Sequence, residues 1–263
     1  TALTSFVRYM PDANITIVDP RSHHIKITHL HESFRYPLQD FMVPFSSLEE
    51  RFNCRHICAE LHATEDNIQQ WSADKFITIN EEKIEFDYVL IASGAASGCT
   101  SQESNVHDIN TFLTISGSEL INRSLKTIDQ EKPYISVVGG GATGIQFLFE
   151  IAHFIKRKKM ECNLRLIHSN DRVLQQFPAG FSEYTEARMS ELGVDFQQNT
   201  YYQKQTENSI FLKSKETKEE FELPSKMTLL FLGNNPGKRL SANTFGQVII
   251  DSQPIRNIFV AGD

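Results

Sequence analysis

Apolar residues along this chain fall into short runs, and the period of each run predicts an element. Ile15–Val18, Tyr88–Ala92, Tyr134–Val138, Leu164–Ile167, Met227–Phe231 and Asn257–Val260 are continuous and partly β-branched, as strands buried on both faces require. Phe76–Ile79 and Lys83–Phe86 alternate around Asn80-Glu81-Glu82, a hairpin pattern, and a polar hairpin is expected through Lys213–Glu220. Shorter strands are expected at 54–61, 194–196 and 248–250. Between them, helical spacing or helix-start residues mark 1–10, the stretch opening at Ser46, 115–128, the segment after Gly144 and 181–192. Residues 21–70 otherwise hold few regular signals, and 96–112 read as loop. Strands alternating with helices predict an α/β, three-layer fold with parallel sheets.

The most informative stretch is Tyr134–His153. Its strand breaks into Gly139-Gly140-Gly141-Ala142-Thr143-Gly144, after which Ile145, Leu148, Phe149, Ala152 and Ile155 recur at helical spacing. Lys156–Lys159 then place positive charge at the helix's negative end. Strand, glycine turn and helix in this order form a dinucleotide fingerprint. Gly139 permits the tight turn, Gly141 lets backbone N–H groups approach a pyrophosphate, and Gly144 lets helix and strand pack closely.

Two further positions follow from that logic. Such a unit ends its second strand on an acid that holds the adenosine ribose. The first 20 residues read as a helix leading into the strand Ile15–Val18, closed by Asp19, so Asp19 is a candidate ribose ligand. The strand and glycine loop expected before that helix are not in the sequence, which predicts poor flavin binding by residues 1–263 alone. In the second unit the strand Leu164–Ile167 is closed by His168. A histidine does not repel a 2′-phosphate, so weak discrimination between NADH and NADPH is expected, with NADPH use improving as pH falls toward about 6.5. Ser169 or Asn170 could meet the ribose instead.

Composition narrows the classes. A net charge of −7 and a pI near 5.7 leave only Lys156–Lys159 as a basic cluster, against nucleic-acid binding. No apolar run approaches the roughly 20 residues of a membrane-spanning helix, and no signal peptide opens the sequence, so a cytoplasmic location is expected. Cys54, Cys58, Cys99 and Cys162 form no CxxC pair and are read as thiols in a reducing compartment. The His23-His24 and His29-Leu30-His31 pairs lack a recognisable ligand set, so no metal is expected.

The ordered motifs ITIVDP, DYVLIASGA, VVGGGATGIQFLFEIA, LRLIHSNDRVL, FLGNNPG and NIFVAGD cover nearly the whole chain. Together they resemble the pyridine nucleotide–disulfide oxidoreductases, flavoproteins with two dinucleotide-binding domains. The resemblance implies two Rossmann-like domains, an NAD(P) domain at 113–244 inserted in a discontinuous FAD domain at 1–112 and 245–263. It implies FAD near Ala92, Ser93 and Gly94, with Asp263 at its ribityl or phosphate region, Asp19 on its ribose and backbone near Leu61 facing adenine. The nicotinamide nucleotide would lie on Gly139, Gly141, Ala142, Thr143 and Gly144, with His168 at its ribose and Gly233 near its nicotinamide side.

The redox cysteine pair of the disulfide reductases has no counterpart here, so a dithiol relay is not expected. The motifs look most like type II NADH dehydrogenases. That subgroup often has two glutamates on the fingerprint helix; Glu150 matches the second, and Gln146 stands at the first. The expected activity is a flavin-dependent NAD(P)H oxidoreductase passing hydride to flavin and electrons to a small-molecule, quinone-like acceptor. Peripheral contact with the inner face of a membrane, through segments beyond Asp263, and a homodimer are compatible partners. Two alternatives stand beside it: a sulfide:quinone-type enzyme using Cys99 or Cys162, and a non-catalytic nucleotide sensor, for which His168 is the support.

Overall fold

A computed structural model describes residues 2–94, 103–125, 132–233 and 240–262. The chain forms two compact units, one of Thr1–Ile25, Met42–Ala96 and Pro236–Asp263, the other of Lys26–Phe41 and Ser97–Asn235.

The second unit is built on a five-stranded parallel sheet. Its order is Asp195–Gln197, Asn163–Ile167, Tyr134–Val138, Met227–Leu230 and Val106–His107. Numbered from the fingerprint strand Tyr134–Val138, the first four run 3-2-1-4, the order of a mononucleotide-binding half. Val137 pairs with Leu166 on one side and Leu229 on the other, and all three are fully buried. That is why the runs read as continuous rather than alternating. The helix Ala142–Lys158 follows the fingerprint strand, and Ala179–Glu191 joins the second strand to the third.

Between the third and fourth strands the chain makes an antiparallel sheet of Thr200–Gln205, Ser209–Ser214 and Glu220–Pro224. Only part of it had a sequence signal, because the first strand is polar and alternates weakly. Ile210 and Leu212 bury themselves with Val138, Ile167 and Leu230. Where the two sheets meet, Ser225, Ser136, Thr228 and Gln205 are buried and mutually satisfied. The Ser225 hydroxyl donates to Ser136 Oγ at 2.9 Å and Thr228 donates to Gln205 Oε1 at 2.6 Å. Gln205 Nε2 donates to the Ser225 carbonyl at 2.7 Å, so these buried polar groups do not carry the cost of missing partners.

Residues 26–41 pack with this unit, whereas the division read from the sequence set them in the 1–112 segment. The cause is aromatic. The 3₁₀ segment Ile27–Phe34 buries Leu30 and Phe34, and Phe34 lies 6.1 Å from Phe147 and 6.0 Å from Phe154, both on the fingerprint helix. Phe112 at 4.5 Å and Phe231 at 4.6 Å complete the ring of contacts around Phe147. Gly117 opens the next helix, Gly117–Leu125, because a Cβ there would stand 2.5 Å from the Phe34 ring.

Among the described residues the first unit has four small sheets, one of them the antiparallel pair His23–Ile25 and Met42–Pro44. Ile15–Asp19 pairs in parallel with Cys54–Cys58, ending with Asp19 opposite Cys58. Phe76–Ile79 and Glu82–Glu85 form the expected hairpin, with Asn80 and Glu81 both at positive φ, the turn that matches strand twist. Gln253–Val260 pairs antiparallel with Gln247–Ile250 and parallel with Val89–Ile91. The helix Glu65–Asp74 had not been anticipated: it buries only Ile68 fully, so no 3.6-residue stripe marks it, though Thr64 caps it by accepting from the Asn67 N–H.

Phe147 is 1% exposed at the centre of the aromatic cluster, so Phe147→Ala is expected to destabilise the second unit by about 3–5 kcal/mol. Chemical denaturation of the variant against the parent measures this, and a loss below about 1 kcal/mol would show that the cluster collapses around the cavity.

Candidate functional site

The fingerprint loop has one open position between sealed ones. Gly139 adopts φ +114, and a Cβ there would stand 2.2 Å from the Phe231 carbonyl oxygen. The Gly139 N–H donates to the Ile167 carbonyl at 2.9 Å, carrying the sheet ladder into the loop. At Gly144 a Cβ would lie 1.9 Å from the Gly139 carbonyl oxygen, so the first helical turn rests directly on the loop backbone. Gly140 is filled from the other side, its missing Cβ replaced by the His168 ring, 2.8 Å from where that atom would be. Gly141 alone faces open space, with nothing within 4 Å, at φ −79 and ψ 178, angles open to any residue. It caps the helix without a side-chain hydrogen bond, and Ala142 is partly buried and Thr143 exposed beside it. The N–H groups of this turn, at the positive end of a 17-residue helix, suit an anion such as a pyrophosphate.

His168 stands at the end of the neighbouring strand and turns inward. Its Nδ1 accepts the Gly140 N–H at 3.1 Å, and the ring is half-buried. Burial lowers its pKa below the ordinary imidazole value; the Arg172 backbone works the other way, Lys215 adds to the lowering and Asp171 opposes it. Both burial and the use of the Nδ1 lone pair work against the protonation on which the expected gain in NADPH use toward pH 6.5 depends. Lys215, in the bend after the strand Ser209–Ser214, donates from Nζ to Asn170 Oδ1 at 3.1 Å. Sequence reading missed it because only the fold brings residue 215 to the loop that follows His168.

In the first unit Asp19 is held by Arg21. Its Oδ1 accepts the Arg21 N–H and Nε–H at 2.9 Å each, and its Oδ2 accepts Nη2–H at 2.8 Å. Burial alone would raise its pKa, but the Arg21 hydrogen bonds and charge outweigh that and hold the carboxyl below its usual value. An ionised carboxylate offers about four acceptor positions, so capacity for a ribose hydroxyl remains. The motif ITIVDPRS shows this arginine two residues on, a legible signal that had been passed over.

Leu61 packs with Ile57, Ile77 and Ile79. Ala92, Ser93 and Gly94 are exposed beyond the strand Val89–Ile91, Gly94 at φ +73 with nothing within 4 Å. The parallel strand Gln253–Val260 ends alongside, with the Ala261 N–H donating to the Ile91 carbonyl at 3.0 Å. These carboxyl ends of adjacent parallel strands are where open α/β sheets take ligands. Gly233, at φ +84, is likewise exposed beyond the strand Met227–Leu230. Asp263 and Cys99 lie outside the described residues.

Other candidate groups are accounted for within the fold. Burial pushes the Cys162 thiol up to about 11, which suits a packed side chain and not a nucleophile. Glu150 pairs with Arg35 Nε at 2.9 Å, while Gln146 is exposed. Among the described residues no cluster of His, Cys, Asp or Glu could hold a metal, and no helix is long and apolar enough to cross a membrane.

Comparison with known proteins agrees with this geometry. The chain matches the family described as pyridine nucleotide-disulphide oxidoreductase over residues 44–263. It is 28% identical over 160 residues to the mitochondrial external alternative NAD(P)H-ubiquinone oxidoreductase B2 of Arabidopsis thaliana, a match covering 51% of this chain and 27% of that protein. It is 21% identical over 280 residues to the type II NADH:quinone oxidoreductase of Staphylococcus haemolyticus, covering 96% and 67%. The solved structure of NDH2 from Plasmodium falciparum in complex with NADH superposes with a TM-score of 0.75 at 19% identity, covering 96% of this chain and 59% of that one. The chain thus spans about a quarter of the plant protein and under two thirds of the solved chain.

Gly141 and Gly144 should separate ligand from fold. A Cβ at Gly141 meets no atom within 4 Å, so Gly141→Val should leave the melting temperature within a few degrees while abolishing nucleotide binding, because the branched side chain fills the open space. Gly144→Val should instead fail to fold or melt far lower; undiminished nucleotide affinity in Gly141→Val would show the loop to be purely structural.

His31, His107 and His168 all have pKa values lowered, chiefly by burial. The unfolded chain takes up protons at these rings near pH 6.5 and the folded chain only below it, so their stabilising effect is complete above about 6.5 and is lost as pH falls through the folded values. Ring titration followed by heteronuclear NMR should give midpoints under about 6.5 for all three, and a midpoint above that value at His168 would contradict the Gly140 hydrogen bond.

Proposed function

We propose, from the premise that this chain belongs to the pyridine nucleotide-disulphide oxidoreductase family, that it acts in a flavin-dependent NAD(P)H:quinone oxidoreductase. The observation that carries the reading is the fingerprint loop: sealed at Gly139 and Gly144, open at Gly141, at the head of a long helix in a 3-2-1-4 parallel sheet. The names of the plant and staphylococcal relatives, both quinone oxidoreductases of nicotinamide nucleotides, support the choice of acceptor.

In this reading the second unit takes NAD(P)H and the first takes FAD. Bound flavin and nicotinamide supply the hydride and electron chemistry, so no side chain of the chain is required as acid or base. The N–H groups around Gly141, Ala142 and Thr143 bind a pyrophosphate through the helix's positive end. Gly144 fixes that end against the sheet, so the donors are aimed before the ligand arrives. Asp19 offers its remaining acceptor position, on Oδ2, to the FAD ribose, and Arg21 keeps it ionised and in place. Ala92, Ser93 and Gly94 in the first unit and Gly233 in the second, exposed at carboxyl ends of strands, supply backbone beside the flavin and the nicotinamide. Asp263 belongs to the same flavin assignment. Docking on a membrane surface, where a quinone acceptor dissolves, and a homodimer complete the proposal.

The test is an anaerobic stopped-flow experiment on the full-length protein, purified with its flavin bound. The flavin absorbance should bleach on mixing with NADH or NADPH and return on adding a soluble quinone. Absence of bleaching with both nucleotides would leave a nucleotide-binding sensor, and bleaching without recovery would exclude the quinone.

A further inference from the structure

The end of the second strand in the nucleotide-binding unit does not offer what an NAD site offers. There a carboxylate accepts the 2′-hydroxyl of the adenosine ribose and rejects a 2′-phosphate by charge. Here the side chain is an imidazole engaged inside the fold: Nδ1 accepts from Gly140, and the ring fills the space that a Cβ at Gly140 would take. His168 thus brings neither a negative charge nor a carboxylate acceptor to the ribose.

A cation is brought to the same loop instead. Lys215 is tied to it twice, by Nζ donating to Asn170 Oδ1 at 3.1 Å and through Asn199, which accepts the Lys215 N–H at 2.7 Å and donates its own N–H to the Asn170 carbonyl at 3.2 Å. An ammonium has three donors, and Asn170 takes one. The neighbouring carboxylates are occupied with amides: Asp171 accepts from Gln175 Nε2 at 3.4 Å and Glu216 from Asn199 Nδ2 at 3.0 Å. Arg172, two residues beyond Asn170, donates to the Gln175 carbonyl at 3.4 Å.

We propose that the adenosine end of this site is built for a 2′-phosphorylated ribose, that is for NADP(H), with Lys215 as the residue that engages the 2′-phosphate. The proposal rests on the nucleotide reading of the fingerprint loop and specifies its substrate.

The test uses two probes on the whole chain, NADP+ and NAD+, which differ only in the 2′-phosphate, followed by isothermal titration calorimetry. The 2′-phosphorylated probe should bind about tenfold tighter or more, the gain of one charge-assisted contact. Lys215→Met should close that gap and Lys215→Arg should keep it, a rescue that a merely structural lysine would not show. His168→Glu should also close it, since a carboxylate can accept the Gly140 N–H while restoring the repelling charge. Equal binding of the two probes by the parent, or a gap that survives Lys215→Met, overturns the proposal. If neither probe binds, or both bind unchanged in Gly141→Val, the nucleotide reading itself fails and the proposal with it.

Discussion

The contact between the Gly139 carbonyl oxygen and the place where Gly144 has no side chain is the constraint on which the second unit depends. A Cβ at 1.9 Å from that oxygen is impossible, so the helix can start against the loop only because residue 144 is glycine. The same approach forces Gly139 to φ +114, with the Phe231 carbonyl at its back. Once the helix starts there, its direction is set, and Phe147 and Phe154 point at Phe34 rather than at solvent. A backbone contact too tight for any side chain therefore aims the anion-binding N–H groups and also seats the aromatic core.

The two strand ends that would face a ribose solve opposite electrostatic problems. Asp19 keeps its charge because Arg21 embraces both carboxylate oxygens. His168 avoids charge, since burial disfavours the imidazolium and the Gly140 N–H needs its lone pair. Both side chains are fixed by a partner within the fold, so each presents a set chemistry and not a mobile group that adapts to what binds.

Much of this was legible in the sequence where a single physical demand governs a stretch. Burial on both faces makes the sheet strands continuous, and the loop's close approaches leave glycines at 139, 140 and 144, so the strands and the fingerprint could be read directly. What escaped was set by partners distant in the chain. The helix Glu65–Asp74 buries one residue fully and carries no stripe. Val106–His107 is a strand only because Thr228 and Leu229 pair with it. Lys215 meets Asn170 only because the antiparallel crossover folds back over the sheet.

The attachment of residues 26–41 shows which of several contacts sets the unit's boundary. Arg35 pairs with Glu150 at 2.9 Å and Arg157 donates to the Phe34 carbonyl at 2.8 Å, which at first sight makes the segment an electrostatic appendage of the fingerprint helix. Arg35 is 39% exposed, however, and pairs of that kind are screened by solvent and worth roughly 0–1 kcal/mol. Phe34, at 1% exposure, withdraws a whole aromatic side chain from water, worth about 1.5–3 kcal/mol before its ring contacts are added. The apolar term dominates. The ion pair then acts on geometry more than on stability: it sets a guanidinium against Glu150, whose buried Oε2 takes no hydrogen bond, while the first of the two glutamate positions, Gln146, is neutral and exposed.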